Sequence, residues 1–277
     1  MKRWITFDLD GTLMQNPFAG WIFPELERLA AETLGEGDTV RGSLMAEHER
    51  MLAAKETVAA YDWDAIASRL FRSWGVPGSF SIEEMVGRHA GAPKSYLLDD
   101  TVLPGLDRLR TLGYCLAAVT NGYYKYQYPV MAALGLTERF DAVITPDRAG
   151  CAKPDAAMGA SLISGGRGVI AAHVGDRLDH DMVFAHAIGT QPILISRRLP
   201  DALRTLTPAE RADSPLLEAV LRRQAEVEHA RLAADAPLPT EWLPAAVVAD
   251  LHELADALQA KSGAVDPADA AGREPQR

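Results

Sequence analysis

Trp4-Ile5-Thr6-Phe7-Asp8-Leu9-Asp10-Gly11-Thr12-Leu13 is the stretch on which the reading of this chain turns. It begins as an apolar, β-prone run, the pattern of a buried strand. It ends in two carboxylates flanking Leu9, then a glycine and a threonine. Alternate residues of an extended chain share a face, so Asp8 and Asp10 can point into one small volume where the strand gives way to loop. Two like charges that close raise each other's pKa unless a cation sits between them. The stretch therefore reads as a Mg²⁺ site with one carboxylate free to act as a nucleophile. A strand closed by a plain Asp-Gly turn is the alternative.

The rest of the chain bounds what such a site could serve. At 277 residues and 48% apolar, it has the material for one large domain, or a core plus a smaller one. A formal net charge of -10 disfavours a nucleic acid polymer or an anionic membrane as partner. It leaves room for a small phosphorylated substrate, because a local cation can dominate inside a cleft. Two cysteines, Cys115 and Cys151, cannot make a disulfide framework and suggest a reducing compartment. Lys2-Arg3 is followed by a short apolar run broken at Asp8, unlike a signal peptide, and no run is long and apolar enough to span a membrane. The expectation is a cytoplasmic protein.

After the first strand the texture changes. From about Asn16 to Leu98 apolar residues recur at helical spacing: Trp21, Phe23, Leu26, Leu29, Ala30 and Leu34, then Leu44, Met45, His48, Met51 and Leu52, then Trp63, Ile66, Ala67, Leu70 and Phe71. Ser81 followed by Glu83 and Glu84 reads as a helix start. Four to five helices and no strand are expected here. Beyond Thr101, strands and helices alternate: a helix over 104–112, a strand over 115–119, a helix over 128–136, a strand over 142–145, a helix over 156–163, a strand over 168–174, a helix starting at Met182, and a strand over 192–196. This alternation predicts an α/β fold with a parallel sheet covered on both faces. A stretch from Arg198 to Leu243 interrupts it, with a helix expected over 215–234. A last strand is expected over 245–249 and a last helix over 251–258. The Ala-, Asp-, Gly- and Pro-rich residues 262–277 read as a disordered tail.

Ligands of open parallel sheets bind beyond the carboxyl ends of the strands. There this sequence puts Asp8 and Asp10, then Thr120 and Asn121, then Asp176, with Lys153 on a loop after another strand. Asp8 can attack phosphorus and Asp10 can exchange protons with the leaving oxygen and with water. The Thr120 hydroxyl and Asn121 amide can donate to phosphoryl oxygens. Lys153 supplies a cation beside nucleophile and phosphate. Asp8, the Asp10 carbonyl and Asp176 suffice for a Mg²⁺ ion that keeps its other waters. Asp181 can hold metal-bound water or buttress Lys153. Each short motif alone also reads as a turn or loop; the ordered conjunction is what points to chemistry.

Asp8-Leu9-Asp10-Gly11-Thr12-Leu13, Thr120-Asn121-Gly122, Lys153-Pro154-Asp155 and Gly175-Asp176 with Asp181 resemble, in family order, the four motifs of the haloacid dehalogenase (HAD) superfamily. The resemblance implies a Rossmann-like core over 1–15 and 99–261, with 198–243 as an excursion, and a helical cap inserted over 16–98. It also implies Mg²⁺-dependent phosphoryl transfer through an aspartyl-phosphate on Asp8. Asp10 places the chain with the phosphatase and mutase branches, because the dehalogenases lack an aspartate there. Two features depart from the family pattern: Arg177 stands where a small hydroxyl residue is common, and the 198–243 link is longer than usual. The expected activity is hydrolysis of a small phosphorylated metabolite, such as a nucleotide or sugar phosphate, by a monomer or homodimer. A phosphomutase using the same site, or a non-catalytic binding protein keeping the fold, are the alternatives. Arg41, Lys55, Arg72, Arg88 and Lys94 are the candidate basic contacts of the cap. His48, His89, His173 and Cys115 read as structural, and Cys151 as reactive only if its thiolate is stabilised.

Overall fold

A computed structural model of the chain describes residues 1–34, 40–166, 168–228, 232–233 and 236–262. Most of the expected tail, 263–277, and part of the helix expected over 215–234 lie outside the described residues. Strands β1 (Lys2–Phe7), β4 (Cys115–Val119), β5 (Ala142–Ile144), β6 (Gly168–Gly175), β7 (Gln191–Ile195) and β8 (Ala246–Val248) form one sheet in the order β5-β4-β1-β6-β7-β8. Every pairing is parallel. This is the parallel α/β sheet expected from the alternation and the Rossmann-like core that the resemblance implies.

The first strand lies at the centre of the sheet and is buried on both faces, with Trp4 and Thr6 on one and the fully buried Ile5 and Phe7 on the other. Each such side chain contributes about 1.5–3 kcal/mol by leaving water. From β1 the chain builds β4 and β5 to one side, then crosses to build β6, β7 and β8 on the other. The strand order thus reverses at β1, and a crevice opens at its carboxyl end. Phe7 pairs with Ala118 of β4 and Val174 of β6, so the residues that follow each of these strands emerge side by side.

One expectation is corrected. Met14–Gln15 (β2) and Tyr96–Leu97 (β3) form a two-stranded antiparallel ladder where no strand was expected. Two-residue strands leave no periodicity to read. The ladder brings together the points where the chain leaves the sheet and returns to it. Between them lie helices α1 (Phe23–Leu34), α2 (Val40–Ala53), α3 (Trp63–Ser73) and α4 (Ile82–His89). Asp62 caps α3 by accepting from the Ala65 N–H, and Ser81 caps α4 by accepting from the Glu84 N–H. Their apolar stripes, among them Leu26, Leu44, Ile66 and Val86, join one continuous buried cluster with Ile5, Phe7 and Leu116 of the sheet.

Helix α5 (Val102–Thr111) precedes β4, and α6 (Tyr124–Ala133) follows it. Helix α6 starts four residues before the expected Tyr128, so Tyr124 and Tyr126 lie within it. The 198–243 link carries short helices at Asp201–Arg204 and Pro208–Asp213, which were not expected, then a longer one at Leu217–Val227. It has its own apolar cluster, Leu203, Leu217 and Leu221 against Leu178, Leu194 and Val247. Arg211, only 2% exposed, pins it: the guanidinium donates to the Leu203 and Val247 carbonyls and pairs with Glu253. Among the described residues no helix is long and apolar enough to cross a membrane.

Candidate active site

The sheet delivers the expected residues to one place. Asp8 directly follows β1, and its N–H donates to Val174 O at 2.9 Å, continuing the β1–β6 ladder by one step. Thr120 directly follows β4 and Asp176 directly follows β6. Lys153 reaches in from the loop after β5. Its ammonium, 4% exposed as a residue, donates at 2.6 Å to Asp8 Oδ1 and at 2.6 Å to Asp181 Oδ1. Asp8, Asp176 and Asp181 offer carboxylate oxygens that all lie within 4.8 Å of one another.

Most oxygens of this cluster are already claimed. Asp181 Oδ1 accepts from Lys153 and from His173 Nε2, and Oδ2 accepts from the Arg177 N–H at 3.0 Å. Thr12 Oγ1 donates to Asp176 Oδ1 at 2.9 Å. Asp8 Oδ2 and Asp176 Oδ2 receive no hydrogen bond among the described residues. Gly11 makes the approach of Asp176 feasible. Its φ is +86°, and a Cβ there would lie 2.4 Å from Asp176 Oδ2.

Charge and burial conflict here. Burial pushes the Asp8 carboxyl well above the usual carboxylate range; Asp181 and Asp176 add to the rise, while the Lys153 ammonium opposes it. Burial likewise lifts Asp176 to about 7, with Asp181 adding to it. Burial alone would also raise Asp181, but the Lys153 ammonium and the His173 N–H hold it well below the usual range. Lys153 itself stays above its ordinary value: burial favours the neutral amine, and Asp181 and Asp8 overcome that. Asp181 is thus the lysine's fixed partner. Asp8 and Asp176 are short of positive charge and each keeps a free oxygen. A small, hard, oxygen-seeking cation fits that donor set.

Asp10 stands apart from this cluster. Gln127 of α6 donates to its Oδ2 at 2.5 Å, and its Oδ1 is buried with no hydrogen-bond partner among the described residues. Gly122 permits the contact, since a Cβ there would lie 2.1 Å from Gln127 Nε2. Burial raises the Asp10 pKa, partly offset by the side chains of Gln127 and Asn16. Asn121 is occupied differently from the expected phosphate contact. Its Oδ1 accepts from the Lys153 N–H at 2.7 Å, and its Nδ2 donates to the Lys153 carbonyl at 3.0 Å and to Tyr61 Oη at 2.9 Å. The amide thereby holds the lysine loop from both sides. Thr120 Oγ1 accepts from the Gly122 N–H at 3.2 Å, so its proton remains available to donate.

These groups open onto a cleft of about 1380 Å³ between the helical insert and the sheet edge. That exceeds the roughly 300–1,000 Å³ usual for small-molecule sites. The insert contributes Phe18, Phe23, Arg41, His48, Tyr61 and Trp63, among others; the opposite wall contributes Arg177, Asp179 and His180, and Glu226, Val227 and Glu228 from the 198–243 link. Of the five basic residues expected to face substrate, Arg41 alone lines the cleft. Arg88 instead pairs with Glu25, and Lys94 donates to His89. His48 donates from Nδ1 to Ala60 O at 2.7 Å, and burial lowers its pKa. Burial also lowers His180 to about 4, so both imidazoles are neutral near pH 7.

Several site residues were invisible as such in the sequence. His173 is fully buried, with Nε2 on Asp181 and Nδ1 at 2.9 Å from Thr6 Oγ1. Since a carboxylate only accepts, Nε2 carries the proton and Nδ1 accepts from the threonine. Thr6 and His173 are polar residues inside apolar strands and face each other in the β1–β6 register. That pairing is the signal that could have revealed them. Tyr126 is 2% exposed; its hydroxyl donates to Asp64 Oδ2 at 2.9 Å and so joins α6 to the insert. Cys151 is disfavoured as a thiolate because burial raises its pKa.

A profile of haloacid dehalogenase-like hydrolases matches residues 2–189. This chain belongs to that family. The HAD-like hydrolase is 28% identical over 155 residues to the mouse haloacid dehalogenase-like hydrolase domain-containing protein 3, covering 53% of this chain and 61% of the relative. It is 34% identical over 98 residues to a glyceraldehyde 3-phosphate phosphatase of Methanopyrus kandleri, covering 35% of this chain and 42% of the relative. The chain therefore spans less than two thirds of the length of either relative. Its fold is similar to a HAD phosphatase from Thermococcus onnurineus (TM-score 0.62, 22% identity, 93% of this chain and 98% of the other). It is also similar to an L-2-haloacid dehalogenase from Xanthobacter autotrophicus (TM-score 0.56, 18% identity, 96% and 100%). The fold is common to phosphatase and dehalogenase, so the reaction must be argued from side chains.

Proposed function

We propose that this HAD-like hydrolase is a Mg²⁺-dependent phosphomonoester hydrolase acting on a small phosphorylated metabolite. The observation that carries the reading is Asp10. It stands two residues after Asp8, is held by Gln127 on one oxygen, and keeps the other oxygen unpartnered beside the cleft. Displacing an alkoxide from phosphorus calls for a proton donor; displacing a halide does not. A phosphatase homologue among the relatives agrees with this choice.

In this reading the Asp8 carboxylate attacks phosphorus, the P–O bond to the leaving group breaks, and Asp10 gives its proton to the departing oxygen. An aspartyl-phosphate remains on Asp8. Asp10, now ionised, takes a proton from water as the water attacks the acyl phosphate, releasing phosphate and restoring the Asp8 carboxylate and the protonated Asp10. Lys153 favours the ionised form of Asp8 against its burial, orients it and offsets charge on the phosphoryl oxygens. Thr120 donates its free hydroxyl proton to one of those oxygens. Asn121 acts by fixing the Lys153 backbone. Asp8, Asp176 and the Asp10 carbonyl would hold Mg²⁺, which would neutralise phosphoryl charge when bound. Residues 16–98 serve as a cap that excludes water, with Arg41 and the neutral His48 facing the substrate's non-reacting part.

The test is phosphate release from a panel of nucleotides, sugar phosphates, phosphoglycolate and sugar-acid phosphates, with Mg²⁺ and with EDTA. Metal-dependent release concentrated on one class is the expected result. The Asp8→Asn variant should lose turnover while keeping its fold. No release from any member, or unchanged release from Asp8→Asn, would overturn the reading, and isomerised product without phosphate would make the enzyme a mutase.

A further inference from the structure

The two departures from the family pattern, Arg177 and the long 198–243 link, meet at one point. Residues Leu178–Met182 form a helical turn that carries Asp181, and Arg177 occupies its N-cap position. The first N–H groups of a helical turn need acceptors, which Ser, Thr, Asp or Asn at the cap normally provides. Arg177 provides none: its side chain makes no cap hydrogen bond, and its guanidinium turns instead to Asp179, at 2.9 and 2.7 Å.

The acceptor comes from 50 residues away. Glu228 directly follows the Leu217–Val227 helix of the link. Its carboxylate accepts from the Leu178 N–H at 2.9 and 3.1 Å and from the Asp179 N–H at 3.1 Å. Gln224, one turn earlier on the same helix, donates from Nε2 to the Asp176 carbonyl at 3.2 Å and to Glu228 Oε1 at 2.8 Å. The link therefore grips the 176–181 loop at its first residue and at the start of its helical turn. Its own footing is firm, through Arg211 and the apolar cluster beneath β7 and β8. All of it lies beyond residue 189, where the family match ends.

We propose that Glu228, with Gln224, is a positioning residue of the active site that replaces the missing cap at Arg177 and sets the affinity of the Asp8–Asp176 site for its divalent cation. The proposal rests on the metal-dependent reading above. Outer groups that orient metal-holding carboxylates govern affinity although they never touch the ion. Here the path is short: Glu228 fixes the Leu178–Asp179 amides, these fix the turn bearing Asp181, and Gln224 fixes the backbone of Asp176.

The experiment is calorimetric titration of the full chain with Mg²⁺ alone, which reads binding without turnover. Glu228→Ala should bind Mg²⁺ about 10–100-fold more weakly than the parent, the usual cost of losing such an outer group. Glu228→Gln, which keeps one acceptor oxygen, should fall between them and guards against a Glu228→Ala chain that does not fold. A general loss of structure would not respond to a new local cap, so the deciding arm is Arg177→Ser. In that background the serine hydroxyl can accept from the turn, and the loss caused by Glu228→Ala should shrink to about two-fold, a non-additivity expected of groups sharing one partner. Equal losses in the two backgrounds would overturn the proposal, as would parent-like affinity of a folded Glu228→Ala or, where only the conservative variant folds, of Glu228→Gln. A parent that binds no Mg²⁺ would overturn it together with the metal-dependent reading; a parent that binds Mg²⁺ and releases phosphate keeps that reading whatever the variants do.

Discussion

Gln127→Leu isolates the role of Asp10. In the folded chain Gln127 Nε2 donates to Asp10 Oδ2 at 2.5 Å, and the glutamine is 4% exposed. Because Oδ2 is occupied by an N–H, the proton that Asp10 transfers sits on Oδ1, the oxygen without a protein partner. Leucine is of similar size but donates nothing, so Asp10 can rotate and its proton is no longer held on one oxygen. A hydrogen bond to a charged group contributes about 1.5–3 kcal/mol. At about 1.4 kcal/mol per factor of ten, full expression in the transition state corresponds to roughly 10–150-fold in rate. The loss should depend on the leaving group. An alkyl phosphate, whose alkoxide needs the proton, should lose about 10–100-fold in kcat/KM, whereas p-nitrophenyl phosphate, whose phenolate leaves unaided, should lose less than about three-fold. Steady-state kinetics on both esters, with a melting curve to confirm folding, measures this. Equal losses on the two would refute the assignment of Asp10 as a proton donor held by Gln127.

Further outcomes follow from the buried charges. Lys153→Met removes the cation between Asp8 and Asp181 and should destabilise the chain by about 3–5 kcal/mol in urea unfolding, as broken buried pairs do; a loss under about 1 kcal/mol would contradict the 2.6 Å contacts. Arg211→Leu strands Glu253 and three carbonyls, those of Leu203, Arg204 and Val247, and should cost a similar amount, about 3–5 kcal/mol by the same reasoning, with the 198–243 link becoming protease-sensitive first. In EDTA, Asp176 stays protonated in the folded chain up to about 7 but ionises near 3.8 when unfolded. The folded state then binds more protons in that window, so this contribution is full below the lower value and lost as pH rises through the higher one. Above about pH 6.5, where unfolded histidines lose their charge and match the neutral imidazoles of the folded chain, the melting temperature of the EDTA-treated chain should therefore fall up to about pH 8, and Mg²⁺ should flatten the profile. A melting temperature that rises over that range would contradict the burial of the carboxylate cluster.

Asp8, Asp10, Thr120, Asn121 and Asp176 could be singled out from the chain because each sits at or just past the end of an apolar β run, a pattern that survives in one dimension, and Lys153 and Asp181 because they follow in the order of the motifs the chain resembles. The parallel sheet and the helices between residues 16 and 98 were legible for the same reason. Their number and order follow from local periodicity, which depends on neighbours in sequence. The β2–β3 ladder was not legible, since two residues carry no period. Nor was the start of α6, which falls four residues before the expected Tyr128.

What the sequence determined alone is the set of reactive groups and the topology that carries them to one edge of the sheet. Only the tertiary structure decided what each group is free to do. It turned Asn121 from a phosphate donor into a clasp on the Lys153 backbone, singled out Arg41 among five basic candidates, and gave Asp10 a partner in Gln127. It also brought Glu228 to the amides of Leu178 and Asp179 across 50 residues of sequence. The reason is physical: a side chain's chemistry is local, but its hydrogen-bond partners, its burial and hence its charge state are set by groups that no sequence spacing places beside it.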